Sequence, residues 1–320
     1  MRLFVVLCVA LLPLFLPLPG GGLSGQRAAP RRQGAALAVA PPNAPTAGDA
    51  DGSENPELDR AKAPARLPPP RPGAREVVLT FDDGPDLLGT PQVLAELDRR
   101  GLKGIFFVTG RNLVGNRLED LARRDLVRKL AAHGHLVGNH TLSHANLCQL
   151  PDMTAELDGN AEIIAQTTGV YPHLFRSPYG ARCRRLDEAL VARDLVSVGW
   201  NMDPQEWKSE AADAVVAYVI GRLRNVRNRC ILLLHDTHPA AVRALPRILD
   251  FIERENLRIA RQKAAGRPED ATPIRIADYG VFLPPRPVPQ TGLEPLLAAV
   301  AAPFSLIPGI DAVKARLWQP

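Results

Sequence analysis

The sequence predicts an α/β fold: a distorted (β/α) barrel of about seven parallel strands in a single domain. Short apolar runs rich in Val, Ile, Leu and Phe alternate with longer helix-like segments between residues 76 and 255, as in parallel strands joined by crossovers. Clusters of polar residues follow directly after five of these runs. An open doubly wound sheet is the alternative, but no glycine-rich phosphate loop follows the first run.

Each element is bounded by local signals. Thr90 as N-cap, Pro91 at the first helical position and Gly101 beyond the end delimit the first helix. The same reasoning predicts helices at 90–100, 118–133, 154–168, 187–193, 211–224 and 245–253. The predicted strands are 76–81, 103–109, 136–138, 173–176, 195–200 and 230–234, with 258–260 and 274–276 as candidate closing strands.

The segments outside this pattern have different compositions. Arg2 precedes an uncharged apolar run over 3–18 that ends at Pro and Gly, which predicts a secretory signal or an N-terminal anchor over 1–25. Residues 26–75 are rich in Pro and Ala and predict a disordered linker. The folded domain is predicted at 76–282, followed by a Pro-rich and apolar tail at 283–320. We therefore expect an exported protein, periplasmic, in the cell envelope or secreted, with a membrane tether as one alternative.

The net charge and the cysteines indicate which partners and which metal sites are not expected. The 320-residue chain carries a net charge of +5, but its basic residues are scattered without interleaved aromatics, which argues against a nucleic-acid partner. Cys148 and Cys183 each follow a polar cluster by a few residues and would be able to pair, whereas Cys230 is expected to be a buried free thiol. No Cys-x-x-Cys pair is present, so a cysteine zinc site is not expected.

Two polar clusters carry metal and acid–base chemistry. The first strand ends at Asp82 and Asp83, which would face opposite sides unless the chain turns, and Gly84 allows such a turn. His140 and His144 are four residues apart and would project from one face of a helical turn. With one carboxylate, two such imidazoles form a ligand set that zinc and other divalent metals accept.

The five clusters together resemble the motifs of the polysaccharide deacetylases, the family with the NodB-homology domain, carbohydrate esterase family 4. In chain order the segments are Thr80-Phe81-Asp82-Asp83-Gly84-Pro85, His140-Thr141-Leu142-Ser143-His144, Arg176-Ser177-Pro178-Tyr179-Gly180, Asp203-Pro204-Gln205-Glu206-Trp207 and Leu233-Leu234-His235-Asp236. The likeness covers roughly residues 75–255 and would make 76–282 the catalytic domain.

The resemblance implies a divalent metal held by Asp83, His140 and His144, with zinc expected from the ligand types and cobalt or another divalent ion as alternatives. Asp82 would be the general base that deprotonates the attacking water. The backbone N–H of Tyr179 would stabilise the oxyanion.

The other motif residues receive roles from the same resemblance. His235 would be the general acid, Arg176 would pair with Asp82, and Asp203 would lie beside His235 and raise its pKa. Trp207 and Leu233 would wall the pocket for the acetyl methyl group. One departure is Glu206, which stands where the family usually has Asp before Trp, so that its contacts are not predicted. Of the other histidines, His135 is expected to pack beneath the site, and His133, His173 and His238 are interpreted as non-catalytic.

The predicted function is metal-dependent removal of acetyl groups from N-acetylglucosamine units of an exported or envelope polysaccharide, peptidoglycan or chitin-like. Its substrate and partner would then be an N-acetylated polysaccharide. Two alternatives stay open at this point: hydrolysis of O-acetyl esters on a polysaccharide such as xylan, and a non-catalytic protein that binds glycans.

Overall fold

Within the described residues, seven parallel strands form one sheet. Their order is β6 (Val196–Ser197), β5 (Leu174–Phe175), β3 (Leu136–Asn139), β2 (Ile105–Val108), β1 (Arg75–Asp82) and β7 (Arg229–His235), and β8 (Ile274–Ile276) also pairs with β1. The computed structural model describes residues 67–70, 73–267 and 271–279, and the backbone of residues 286 and 287. An isolated parallel bridge joins Met202, which follows β6, to Leu232 in β7. This bridge brings the two ends of the strand order together, so the sheet curls towards a barrel. The predicted fold class is confirmed.

The strands are short, and their order along the chain alternates with helices. The strands of the sheet are β1 Arg75–Asp82, β2 Ile105–Val108, β3 Leu136–Asn139, β5 Leu174–Phe175, β6 Val196–Ser197, β7 Arg229–His235 and β8 Ile274–Ile276. The helices are α1 Gly89–Arg99, α2 Leu118–Ala132, α3 Thr154–Thr168, α4 Arg184–Val191, α5 Ala212–Leu223 and α6 Pro239–Ala264. Every predicted helix is present, with bounds that shift by a few residues except in α6.

Register within the sheet aligns the strand ends that carry the polar clusters. Asp82, the last residue of β1, pairs with Phe107 on one side and with His235 on the other. Asn139, the last residue of β3, pairs with Phe175 of β5. Because the strands are parallel, the segments that follow them all leave the sheet at its carboxyl edge.

The core lies between the sheet and the helices. Phe81 and Phe106 stack with ring centroids 4.8 Å apart and are buried with apolar residues of α1, α5 and α6. Each fully buried side chain of this kind contributes about 1.5–3 kcal/mol. The sheet and its carboxyl edge therefore rest on a well-packed layer of helices.

Two parts of the fold differ from the prediction. Residues 258–260 are not a strand but belong to α6, which continues to Ala264. The reason is periodicity: Ile248, Ile252 and Ile259 recur on one buried helical face. The closing strand at 274–276 is present as β8.

A second sheet of two antiparallel strands lies outside the barrel. It pairs β4 Val170–Tyr171 with β9 Arg286–Pro287. Two-residue strands carry no pattern by which the sequence could predict them. β9 lies beyond residue 282, so backbone pairing with the domain extends past the domain end that the sequence predicts.

The predicted signal or anchor at 1–25 lies outside the described residues, as do most of the linker and of the tail. Among the helices that the structure describes, none is both long and apolar enough to span a membrane.

Candidate active site

A cavity of about 460 Å³ opens at the carboxyl edge of the sheet. It gathers nearly all of the predicted site residues into one place. Its lining consists of Asp82, Asp83, His140, His144, Ser177, Tyr179, Trp200, Asp203, Trp207, Leu233, His235 and His238. Arg176 lies behind this lining and is fully buried.

The two adjacent carboxylates reach the same cavity because the chain turns at Asp83. Asp83 has a φ of 70°, in the left-handed region that non-glycine residues seldom adopt. The turn was expected at Gly84, but Gly84 serves a different purpose. A Cβ on Gly84 would lie 2.7 Å from the carboxylate oxygens of Asp236, so the chain passes too close for any side chain.

Three ligand atoms converge in the cavity. The Oδ1 atom of Asp83 lies 3.4 Å from Nε2 of His140 and 3.1 Å from Nε2 of His144. These three residues form a group whose ligand atoms all lie within 4.8 Å of one another. Burial raises the pKa of Asp83, but the two neighbouring imidazoles hold it well below its usual range.

The geometry of Asp83 fits a divalent metal. Its Oδ1 atom is buried and has no hydrogen-bond partner within the described structure, although two ring nitrogens are close to it. An orphaned buried oxygen is costly in the absence of a ligand. One carboxylate and two imidazoles are a donor set that zinc accepts, with positions left open for water or substrate.

The two histidines meet in a turn rather than in a helix. Thr141 and His144 have φ values of 66° and 64°, so the segment 140–144 is not the helical turn that the spacing suggested. The imidazole rings nevertheless lie 5.0 Å apart between centroids. The Nδ1 atom of His140 donates to the carbonyl oxygen of Arg176 at 2.7 Å, which turns its Nε2 atom towards Asp83.

Asp82 is held by Arg176, as expected. One guanidinium nitrogen donates to Oδ1 of Asp82 at 2.8 Å and to the hydroxyl of Thr80 at 2.7 Å. The other two nitrogens donate to the carbonyl oxygens of Val198 and Gly199, both at 3.0 Å. All three nitrogens of this buried cation are therefore occupied, and its charge stays fixed beside Asp82.

His235 is paired with Glu206, not with Asp203. The backbone N–H and Nδ1 of His235 donate to the same oxygen of Glu206, at 2.6 and 2.9 Å. Burial lowers the pKa of His235, but the hydrogen bond and charge of Glu206, with the charges of Asp82 and Asp83, raise it to about 9.

The prediction places Asp203 beside His235, and the two residues do line the same cavity, but the carboxylate that bonds to His235 is that of Glu206. The Oδ1 atom of Asp203 accepts the backbone N–H of Gln205 at 2.8 Å, which makes it a turn residue. Gln205 has a φ of 54°, and the left-handed step carries the chain back so that the buried Glu206 faces His235. Asp203 still lines the cavity, and burial raises its pKa.

The remaining predicted residues form the cavity wall. Leu233 is buried, whereas Tyr179 and Trp207 are 71% and 48% exposed. Tyr179 has a φ of 61°, and its hydroxyl lies 3.1 Å from Nδ1 of His144. Such exposed aromatic side chains at a cavity mouth are available for contact with a ligand.

Some residues of the site were not singled out from the sequence. His238, interpreted as non-catalytic, lines the cavity, with its ring centroid 5.6 Å from that of His235. Trp200 also lines it and packs over the Arg176 guanidinium. Its position at the end of a predicted strand was the available signal. His135 lies in the core, where burial lowers its pKa to about 4.

A disulfide joins the loops on one side of the cavity. Cys148 and Cys183 are bonded, and they follow His144 and Tyr179 by four residues each. Cys230 is a free, buried thiol whose pKa burial raises to about 12.

Comparisons with known proteins show which proteins this chain resembles. A family model described as polysaccharide deacetylase matches residues 70–196. The chain is 31% identical over 189 residues to a peptidoglycan-N-acetylglucosamine deacetylase of Bacillus cereus, which covers 57% of this chain and 65% of that protein. It is 34% identical over 170 residues to a chitooligosaccharide deacetylase of Bradyrhizobium, covering 52% of this chain and 73% of the relative. The chain thus spans slightly less than two thirds of the Bacillus cereus protein.

Solved structures show the same fold. The Bc1960 peptidoglycan N-acetylglucosamine deacetylase superposes with a TM-score of 0.54 at 28% identity, covering 62% of this chain and 91% of that one. A family 4 carbohydrate esterase from Streptomyces lividans superposes with a TM-score of 0.50 at 31% identity, covering 56% and 88%.

Proposed function

The chain belongs to the polysaccharide deacetylase family, and from this premise we propose that it is a metal-dependent hydrolase of N-acetyl groups on an envelope polysaccharide. The observation that carries the proposal is the convergence of Asp83, His140 and His144 in the cavity that Asp82 and His235 also line. Peptidoglycan and chitin-like chains are the proposed substrate classes, since relatives that act on each match this chain.

Asp83, His140 and His144 would hold the metal, and zinc is proposed from the ligand types. A divalent cation there would supply Lewis-acid activation of water and of an acyl oxygen. Asp82 lies near this group, with its Oδ2 atom 3.8 Å from Nε2 of His140. It would accept the proton of the attacking water, while the hydrogen bond from Arg176 keeps it oriented.

His235 would act as the general acid. Glu206 engages Nδ1 of His235, which leaves Nε2 as the atom that donates a proton to the departing amine. A pKa of about 9 keeps the imidazole protonated at neutral pH, as this role requires. The backbone N–H of Tyr179 would donate to the developing oxyanion, and Trp207 and Leu233 would enclose the acetyl methyl group.

Export is part of the proposal. The Cys148–Cys183 disulfide supports the proposal that the chain folds in an oxidising compartment. A polysaccharide of the cell envelope would be accessible there, whether the N-terminal segment at 1–25 is cleaved as a signal or retained as a membrane anchor.

The test is acetate release from peptidoglycan, chitin oligomers and acetylxylan, with zinc or cobalt added. We expect release from at least one N-acetylated glycan and its loss on chelation. The variant Asp82→Asn should lose activity by about 10²–10⁴-fold while still binding zinc. Asp125→Asn, which changes an exposed carboxylate on α2, is the matched control and should retain full activity.

Three other results would overturn the proposal or part of it. Release from acetylxylan alone would assign the site to O-acetyl esters. Binding of glycans without any acetate release would indicate a non-catalytic protein. Full activity of Asp82→Asn would exclude Asp82 as the base.

A further inference from the structure

The turn that makes Asp83 available is tied down by one side chain from another strand end. The Nδ2 atom of Asn112 donates to the carbonyl oxygen of Asp83 at 2.6 Å and to that of Gly84 at 3.2 Å. The backbone N–H of Thr109 also donates to the Gly84 carbonyl, at 3.2 Å. Both consecutive carbonyls of the left-handed turn are therefore engaged by the segment that follows β2.

That segment is a short 3₁₀ helix, Gly110–Asn112, and it also contacts the histidine loop. The backbone N–H of Gly110 donates to the carbonyl of Thr141 at 3.1 Å, and that of Arg111 donates to the carbonyl of Leu142 at 2.6 Å. The 3₁₀ helix and the histidine loop lie close together: a Cβ on Gly110 would lie 2.4 Å from the Leu142 side chain. The 3₁₀ helix thus bonds to both loops that supply the metal ligands.

From this arrangement we propose that Asn112 is a positioning residue that holds Asp83 within reach of His140 and His144. The inference rests on the proposed metal site and adds a residue that does not itself bind the metal. Asp83 occupies the left-handed region of backbone conformation, with φ at 70°, which non-glycine residues seldom adopt. The Asn112 amide, 29 residues away in sequence, stabilises this conformation through the backbone.

The amide group is required for this role. Asn offers two N–H donors on one nitrogen, which suits two neighbouring carbonyl oxygens. An Asp at the same position would preserve the shape but would present a carboxylate to those oxygens. Asn112→Asp therefore separates the hydrogen bonds from the packing, and Asn112→Ala removes both.

The experiment measures the zinc dissociation constant of the full-length protein by competition with a chromophoric chelator. We expect Asn112→Asp to weaken zinc binding by about 10- to 100-fold, the usual cost of losing an outer partner of a metal ligand. Its activity should return as zinc is raised, with KM for the glycan unchanged. A purely structural role would instead lower the unfolding midpoint of the zinc-free protein and leave the zinc affinity of the folded protein unaltered.

The matched control is Asn225→Asp. Asn225 also donates from its side-chain amide to a backbone carbonyl, that of Gly221, but it does so at an exposed position just past the end of α5. It should bind zinc like the wild type. If Asn112→Asp does not fold, Asn112→Ala is measured in its place.

The outcomes separate this inference from the proposed function. The inference alone is overturned if the wild type binds zinc tightly and the zinc dissociation constant of the Asn112 variant differs from the wild-type value by less than about threefold. A wild-type protein that binds neither zinc nor cobalt overturns the inference and the proposed function together.

Discussion

One oxygen of Glu206 accepts two hydrogen bonds from His235, from the backbone N–H at 2.6 Å and from Nδ1 at 2.9 Å. The carboxylate therefore fixes both the chain position and the ring orientation of His235. Glu206 is 2% exposed, so its charge acts on the imidazole with little screening by solvent. The carboxylate that supports His235 is thus supplied by the residue directly before Trp207, one methylene longer than the Asp usual at this position.

Replacing Glu206 should move the pH dependence of activity. In Glu206→Gln the neutral amide no longer supplies the negative charge that raises the pKa of His235. The imidazole of His235 therefore loses its proton at a lower pH. A general acid must be protonated, and activity falls as pH rises through its pKa. We expect the alkaline limb of the kcat profile to shift downwards by at least about one pH unit. Glu188→Gln, which alters an exposed ion pair on α4, is the control. If the kcat profiles of Glu206→Gln and Glu188→Gln are identical, the prediction is wrong.

Removing the Arg176 guanidinium should destabilise the fold. Arg176→Met leaves Asp82 buried without its cation and leaves the Val198 and Gly199 carbonyls without a donor. We expect a loss of about 3–5 kcal/mol in the free energy of unfolding, measured with urea. The exposed pair of Arg247 with Asp213 provides the comparison, since Arg247→Met should cost less than about 1 kcal/mol. Equal losses in the two variants would refute the argument.

The disulfide should stabilise the zinc-free protein by about 3–4 kcal/mol, because it closes a loop with a sequence separation of 35 in the unfolded chain. The double variant Cys148→Ser/Cys183→Ser, followed by urea unfolding, measures this. A reductant should lower the stability of the wild type to that of the double variant and leave the variant unchanged. No effect of the reductant on the wild type would show that the bond does not form.

Asp236 should make stability depend on pH. Burial raises its pKa to about 7, although Thr90 donates a hydrogen bond to it. Between about pH 4 and 7 the folded protein holds a proton that the unfolded chain has released. The free energy of unfolding therefore falls as pH rises through this range.

Asp236→Asn tests this titration because the amide stays neutral and still accepts from Thr90. We expect its loss of stability between pH 5 and pH 7 to be smaller than that of the wild type by more than about 1 kcal/mol, measured by urea unfolding without zinc. Parallel curves for the two proteins would argue against a buried, titrating Asp236.

Much of the fold could be predicted because its signals are local. Apolar runs such as 230–234 and helix ends such as Gly101 depend on neighbours in sequence. The predicted N-cap, Thr90, is wrong: the helix begins at Gly89, its N-cap position is Leu88, and no side chain caps it. The length of α6 was underestimated because the short triplet Arg258-Ile259-Ala260 fits a strand as well as a helix. Its assignment depends on the buried face to which Ile259 contributes, and that face exists only in the packed structure.

The sequence by itself determined which residues gather at the carboxyl edge, because parallel strands bring all their following segments to one side of the sheet. Asp82, Asp83, His140 and His144 lie together for that reason. Only the tertiary structure decided how they face one another. Left-handed residues at 83, 144 and 205 reverse the chain locally, and the one at 205 directly precedes Glu206, which bonds to His235. Such conformations are unfavourable alone and persist because distant groups, such as the Asn112 amide, hold them in place.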